Sequence, residues 1–232
     1  MKIDVSIVII SYNVRDFLIR CLESIAAQTT QLAYEIWVVD NASSDDSMLK
    51  VSEKFPHVHQ IISPENKGFA AANNLAISQA NGNYIWLLNP DTELQPDALE
   101  TLVLALQEDP KAGAAGSLLL NPNGSLQSSC YPFPTLFKET WRMLWLDKII
   151  PLASYRMHTW DQNQPRNVDN IQGASLMIPA AIFRQVGLLD PGYFMYTEEV
   201  DLNYRIQKAG WQNLWVPQSR VIHYGGQSTR QS

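Results

Sequence analysis

At 232 residues and 46% hydrophobic composition, the chain is long enough for one large α/β domain with a sizeable core, and no long low-complexity tract interrupts it. Seventeen basic against twenty-three acidic residues give a net charge of -6, which argues against a binder of nucleic-acid backbone, so no nucleic acid partner is expected. Two cysteines, Cys21 and Cys130, argue against a disulfide framework or structural zinc; the first strand starts too near Met1 for a signal peptide, and no apolar run reaches membrane-span length.

Val5 to Ile10, VSIVII, is a continuous apolar run that suits a strand buried on both faces of a parallel sheet. Phe17, Leu18, Cys21, Leu22 and Ile25 recur at helical spacing and predict an amphipathic helix over about 14–27. Tyr34 to Val39 reads as a second strand ending on Asp40, Asp46 to Phe55 as a short helix, and Val58 to Ser63 as a third strand before a turn at Pro64 to Gly68. Phe69 to Ala80 predicts an alanine-rich helix that Asn81-Gly82-Asn83 closes as a C-cap. The stretch Tyr84 to Glu93, YIWLLNPDTE, is a buried strand that stops at Asn89-Pro90-Asp91. Pro90 removes a backbone donor and leaves Asp91 at the carboxyl end of the sheet, where open α/β sheets bind ligands. Such alternation of strand and helix is the signature of a mostly parallel sheet.

Pro96 suits the first turn of a helix reaching about Glu108. Ala112 to Leu120 is a further strand, and Asn121-Pro122-Asn123-Gly124 predicts a hairpin to Leu126–Cys130. Residues of about 131–167 differ in character: Trp141, Leu144, Trp145, Ile149, Ile150 and Leu152 are mixed with Lys138, Arg142, Lys148 and Arg156. Two readings stand, a flap whose apolar face packs on the domain, or an interfacial segment that meets lipid or a lipid-linked substrate. Ile171 to Pro179 restores strand character, followed by a short helix to Gly187 and a loop over Leu188 to Phe194. A helix from Glu198 to Ala209 is capped by Thr197 and ended by Gly210, and Trp211 to Val216 and Arg220 to Tyr224 predict two closing strands.

Acidic groups and one histidine therefore fall at element ends: Asp40, Asp91, Glu198 with Glu199, and His223. Each has a structural explanation taken singly, Asp91 as part of a polar turn, Asp40 as a turn cap, the glutamates as complements to a helix dipole, His223 as a core histidine. Asp201 and Arg205, four apart on one helix, can pair, which reads Asp201 as a structural orienter.

Taken together, VSIVIISYN, VVDNASSDDS, ENKGFAAANN, GNYIWLLNPDTEL, QGASLMIP, FMYTEEVDLNYRIQKAGW and VIHYGGQS resemble, in order, the motifs of the inverting family 2 glycosyltransferases of the GT-A fold. The resemblance runs from Val5 to about Ser228, and the NPDT variant looks most like the bacterial branch containing rhamnosyltransferases of O-antigen and cell-wall assembly. It implies an α/β fold, a single GT-A domain over 1–232 with a mostly parallel central sheet flanked by helices. Residues 1–120 would form the nucleotide-sugar-binding half and 121–232 the acceptor-binding half with the flap.

The resemblance also implies roles. Ser11, Asn13, Asp40, Asn66, Gly68, Asn89 and Asp91 would surround the donor, Asp40 touching base or ribose. Asp91 matches the last Asp of the DxD motif, which holds Mg²⁺ or Mn²⁺ against the donor diphosphate, and His223 matches a histidine that completes the metal site. Glu199 matches the second acid of the ED pair, the general base, with Glu198 the second candidate; Gly173, Asp201 and Arg205 would support the acceptor side. The chemistry needs these types: a departing nucleoside diphosphate gathers negative charge that a hard cation offsets, and inversion needs a base for an acceptor hydroxyl attacking from the other face. A glutamate, with a reference pKa of about 4.3, is ionised at neutral pH unless its site raises it.

Two positions depart from the pattern. Asn89 replaces the first Asp of DxD, which leaves one firm acidic ligand for the metal of an enzyme expected to be metal-dependent, and Glu199 is one methylene longer than the usual Asp. The implied activity is transfer of a sugar, plausibly L-rhamnose from a dTDP donor, to a saccharide or lipid-linked saccharide, by a cytoplasmic enzyme with peripheral contact at the inner face of the membrane. The alternatives are a GT-A-like nucleotide- or glycan-binding module, a catalytic fragment without turnover, or a sugar-nucleotide nucleotidyltransferase, whose glycine- and arginine-rich phosphate loop SIVIISYN lacks. No GxGxxG follows any strand, which argues against a nicotinamide oxidoreductase.

Overall fold

A computed structural model describes residues 2–226; Gln227 and Ser228, the end of the last motif, lie outside the described residues. The chain opens as β1 (Val5–Ser11), α1 (Arg15–Ala26), β2 (Tyr34–Asp40), α2 (Ser47–Lys54), β3 (His59–Ile62), α3 (Gly68–Ile77) and β4 (Tyr84–Leu88). All seven residues of β1 are buried, as a strand covered on both faces requires. It pairs in parallel with β2 on one side and β4 on the other, and β2 pairs in parallel with β3. The βα alternation expected of the first ninety residues is therefore present.

The second half departs from strict alternation. After β5 (Thr92–Leu94), α4 (Ala98–Glu108) and β6 (Ala112–Leu120) come β7 (Leu126–Gln127), β8 (Cys130–Tyr131), α5 (Leu136–Met143), β9 (Arg166–Val168), β10 (Asn170–Ile171) and β11 (Ser175–Pro179). The chain then continues as α6 (Ala180–Val186), α7 (Glu198–Lys208) and β12 (Gln212–His223). The large sheet has the order β3-β2-β1-β4-β11-β6-β12-β5, with β7 on β6 and β9 on β12. β11 lies antiparallel between β4 and β6, so the sheet is mixed while β3, β2, β1 and β4 are parallel.

Helices cover both faces. Leu18 and Leu22 of α1 and Leu99 and Leu102 of α4 pack with Trp86 on one face; Ala72 and Ala76 of α3, Phe183 of α6 and Leu202 of α7 pack with Trp215 on the other. A polar string crosses the centre: Trp86 Nε1 donates to Ser175 Oγ, which bonds Ser117, which bonds Ser219 (3.1, 2.8 and 2.8 Å).

Several expectations need correction. The two closing strands are one, β12, with a register shift between Val216 and Arg220 where Pro217 withdraws its donor. The hairpin strand expected over Leu126–Cys130 divides, because β7 pairs with β6 while β8 turns to pair with β10. Ile171 to Pro179 divides likewise around Gln172-Gly173-Ala174. Pro96 stands just before α4, whose N-cap is Asp97 at φ 63°. Gly82 is no C-cap, since α3 ends at Ile77; a Cβ on Gly82 would lie 2.5 Å from the Ser6 nitrogen, so glycine serves close approach to β1.

The flap divides too. Met157 is buried and Tyr155 and Trp160 pack against the core, yet no residue of α5 is buried. Leu136, Phe137, Met143, Leu144, Trp145 and Ile149 all face solvent, which overturns the reading of a flap packed on the domain for 136–152.

Candidate active site

One cleft opens at the carboxyl end of β1 and β4 and is lined by Asn66, Asn89, Asp91, Gly173, Glu198, Glu199 and His223 among the residues singled out in the sequence, together with Tyr12, Asn41 and Tyr196. Ser11, Asn13, Asp40, Gly68, Asp201 and Arg205 do not line it.

Asp91 is placed by the turn after β4. The Thr92 hydroxyl donates to the Asn89 carbonyl at 2.7 Å, and β5 then pairs antiparallel with β12 in a register that sets Thr92 opposite His223. His223 Nε2 consequently lies 3.4 Å from Asp91 Oδ1, both side chains being 5% exposed. Gln127 selects the imidazole tautomer. Its Nε2 donates to Asn121 Oδ1 and the His223 carbonyl, so its Oε1 accepts from His223 Nδ1 at 2.7 Å. In the neutral ring that tautomer puts the lone pair on Nε2, which lies 3.3 Å from Asn89 Nδ2 and faces Asp91.

This arrangement fits a hard divalent cation. A ligating histidine usually donates its other N–H to a carbonyl or carboxylate, as His223 does to Gln127, and Mg²⁺ or Mn²⁺ needs few protein ligands when substrate phosphates supply the rest. Among the described residues no group of three or more His, Cys, Asp or Glu could hold a metal, so a two-residue protein contribution is the most these side chains offer.

The residues expected on the donor side build a frame around the cleft. The Asp40 carboxylate accepts the Ser43 N–H at the end of β2, and Asn13 Oδ1 accepts the Ser44 N–H at 2.7 Å. Ser11 is buried with its hydroxyl unpaired. Asn41, which the sequence did not single out, ties two loops: its Nδ2 donates to Asn66 Oδ1 at 2.8 Å and its Oδ1 accepts the Lys67 N–H at 2.9 Å. Gly68 takes φ +77°, and a Cβ there would fall 2.2 Å from the Phe194 carbonyl oxygen, which itself accepts the Phe69 N–H at 2.8 Å. Asn66 and the loop before α7 are thus laced together through Gly68.

That loop aims the acids. Tyr196 and Thr197 both take left-handed backbone (φ 67° and 72°), sparsely populated for such residues, and turn Glu198 and Glu199 into the cleft. Thr197 occupies the N-cap position of α7 but its side chain makes no cap hydrogen bond, contrary to expectation. Glu198 is 4% exposed and its Oε2 has no partner. Burial, with the neighbouring Glu199 charge adding, pushes Glu198 up to about 7, and burial raises Glu199 as well. Desolvation therefore outweighs the helix N-terminus, which favours ionised acids. Asp201 and Arg205 form the expected pair at 2.7 Å, and Arg205 also donates to the Val186 and Leu188 carbonyls, bracing α7 against the loop after α6.

Residues 6–168 match Glycosyl transferase family 2. The chain belongs to that family. The match spans more than half the chain, and relatives extend it over the segments that carry Glu199 and His223. An N-acetylglucosaminyl-diphospho-decaprenol L-rhamnosyltransferase of Mycobacterium tuberculosis is 29% identical, covering 96% of this chain and 76% of the relative. Rhamnosyltransferase WbbL of Escherichia coli K12 is 30% identical, covering 97% of this chain and 85% of the relative. Solved glycosyltransferases share the fold: GalNAc-T7 with UDP, GalNAc and Mn²⁺ at TM-score 0.72 and 19% identity, and the Pyrobaculum calidifontis mannosyltransferase PcManGT with GDP-Man and Mn²⁺ at 0.67 and 18%. This chain, of which they match 95% and 97%, spans 44% and 57% of those two chains. This family 2 member is accordingly a glycosyltransferase with a GT-A-type α/β fold.

Proposed function

We propose that this glycosyltransferase moves a hexose, L-rhamnose from a dTDP donor, to a lipid-linked saccharide acceptor with inversion at the anomeric carbon, at the cytoplasmic face of a membrane. The carrying observation is that one cleft holds both the Asp91–His223 pair and the Glu198–Glu199 acids. The two rhamnosyltransferase relatives support the donor sugar, and the decaprenol-linked substrate in the name of one supports the acceptor class.

In this proposal Asp91 and His223 would hold Mg²⁺ or Mn²⁺, which would supply Lewis-acid charge compensation for the departing diphosphate. Asn66 and Asn89 border the donor, while Asp40 fixes the loop beside it through Ser43. Glu199 accepts the proton of the acceptor hydroxyl as that oxygen attacks the anomeric carbon, the glycosidic bond forms and the sugar–phosphate bond breaks without a covalent enzyme intermediate. Glu198, held near neutrality by burial, borders the acceptor and limits the negative charge facing the attacking oxygen. Gly173 lines the cleft beside Glu199; a Cβ on it would make only ordinary contacts, 3.5 Å from the Phe69 ring and 3.8 Å from Glu199 Cβ.

Calorimetry of dTDP, UDP and GDP binding with Mn²⁺, Mg²⁺ or EDTA tests the donor side, with Asp91→Ala as the control expected to lose metal-dependent binding. Glu199→Gln should retain nucleotide affinity and lose about 10²–10⁴ in turnover, the range for a positioned base. Near-wild-type turnover in that variant would remove Glu199 from its role.

A further inference from the structure

We propose that residues 136–156 are a membrane-docking element that seats on an anionic phospholipid surface. The proposal rests on the transferase reading only for its purpose, delivery of a lipid-linked acceptor; the surface itself is independent of the cleft.

The segment is organised inside out. Its polar groups bond to one another: Thr135 caps α5 by accepting the Lys138 N–H, Trp141 Nε1 donates to the Ile150 carbonyl at 2.9 Å, and Asp147 accepts from the Ala153 N–H and the Ser154 hydroxyl. Its apolar groups point outward instead. Leu136 and Met143 share one face of α5, at 88% and 78% exposure, and Leu144 (62%), Trp145 (68%) and Ile149 (75%) beyond its end are exposed as well. Apolar side chains held outward by a satisfied polar scaffold describe an element built to lie in an interface.

Charge decides what covers it. Arg142, Lys148 and Arg156 line a concavity together with Trp145 and Ser154. Lys148 Nζ sits 4.3 Å above the Trp145 ring, and neither Lys148 nor Arg156 has an ion-pair partner among the described residues. Arg142 pairs with Glu139, and Asp147, the acid in the concavity, is committed to its own loop. Residues 131–167 carry five basic and three acidic residues in a chain of seventeen and twenty-three, so this segment of an acidic molecule is locally basic and aromatic. Lipid phosphates meet the cations while Leu144 and Trp145 enter the headgroup boundary. A second copy of the chain would bring the same cations against one another. No described helix is long and apolar enough to cross a membrane, so contact of this kind is peripheral.

The test is co-sedimentation of the full chain with phosphatidylcholine vesicles, with and without phosphatidylglycerol, alongside sedimentation velocity without lipid. Binding is expected to the anionic vesicles and to fall with salt. Lys148→Ala with Arg156→Ala should weaken it about fivefold per cation removed, and Leu144→Glu with Trp145→Glu should abolish it. Both double variants should keep the wild-type Tm and metal-dependent nucleotide binding, which shows that they fold. Equal binding to neutral vesicles, no binding, or binding that survives Leu144→Glu/Trp145→Glu overturns the proposal, as does a dimer that the same variant dissociates. Failure of vesicle binding with nucleotide binding intact strikes the docking element alone; the converse strikes the transferase reading alone.

Discussion

Glu198 has one carboxylate oxygen in the cleft wall with no partner, and burial raises its proton affinity from the ordinary 4.5 to about 7. Between those values the folded chain holds a proton that the unfolded chain has released, so stability from this group is full below about pH 4.5 and is lost as pH rises through 7. The shift corresponds to roughly 3 kcal/mol. Glu198→Gln, which cannot ionise, should therefore melt higher than wild type above pH 7 in metal-free buffer, with the gap closing towards pH 5. Parallel melting curves across that range would show that Glu198 is not desolvated. Gln127 invites a different test, because it acts on His223 from the side away from Asp91. Gln127→Leu removes the acceptor that fixes the tautomer and should weaken Mn²⁺ binding in the presence of nucleotide about 10–100-fold, with little change in Tm. Unchanged Mn²⁺ affinity would take His223 out of the metal site. Asp91 and His223 were legible because each closes an apolar strand. Gln127 was not, since a two-residue strand carries no periodicity and its partner lies 96 residues away.

The strand–helix alternation to residue 90 could be read directly, because β1, β2 and β4 each bury a continuous apolar run. What could not be read was how short pieces pair. β5 has three residues and too little pattern to announce itself, yet its register with β12 is what brings His223 beside Asp91. The same holds for the loop before α7, where positive φ at Tyr196 and Thr197 has no signal in residue type, both being poor candidates for left-handed backbone. Gly68 is the counterpart that sequence marks and structure explains. An alanine there carries a cost of about 1–2 kcal/mol for the left-handed backbone alone and must also displace the Phe194 carbonyl. Since Asn41 still holds Asn66, the displacement should fall on the loop that aims Glu198 and Glu199. Gly68→Ala is expected to lower Tm and to reduce kcat more than tenfold while nucleotide Kd changes little. A wild-type kcat, or a loss confined to nucleotide affinity, would separate Gly68 from the acid loop.

The expected division at residue 120 into a donor half and an acceptor half meets a sheet that interleaves the two segments. β11, from the second half, is hydrogen-bonded between β4 and β6 of the first, and β12 pairs with both β6 and β5. Trp86 of the first half donates to Ser175 of the second, and the string continues through Ser117 to Ser219, which donates to the Ala98 carbonyl. Removing residues beyond 120 would strip β4 and β6 of their shared neighbour and leave Trp86 Nε1 unsatisfied in the core, a penalty of about 1–3 kcal/mol before any lost apolar burial. The halves should therefore unfold together. Trp86 and Trp215 are both fully buried, one on each face of the sheet, so the fluorescence lost in Trp86→Phe and in Trp215→Phe, each taken as a difference from wild type, reports on opposite faces. In urea, both fluorescence curves should coincide with the far-UV circular dichroism transition, and a 1–120 fragment should show no cooperative transition. Two separated transitions, or a fragment that melts cooperatively, would mean that the nucleotide half is a folding unit of its own and that β11 docks on it afterwards.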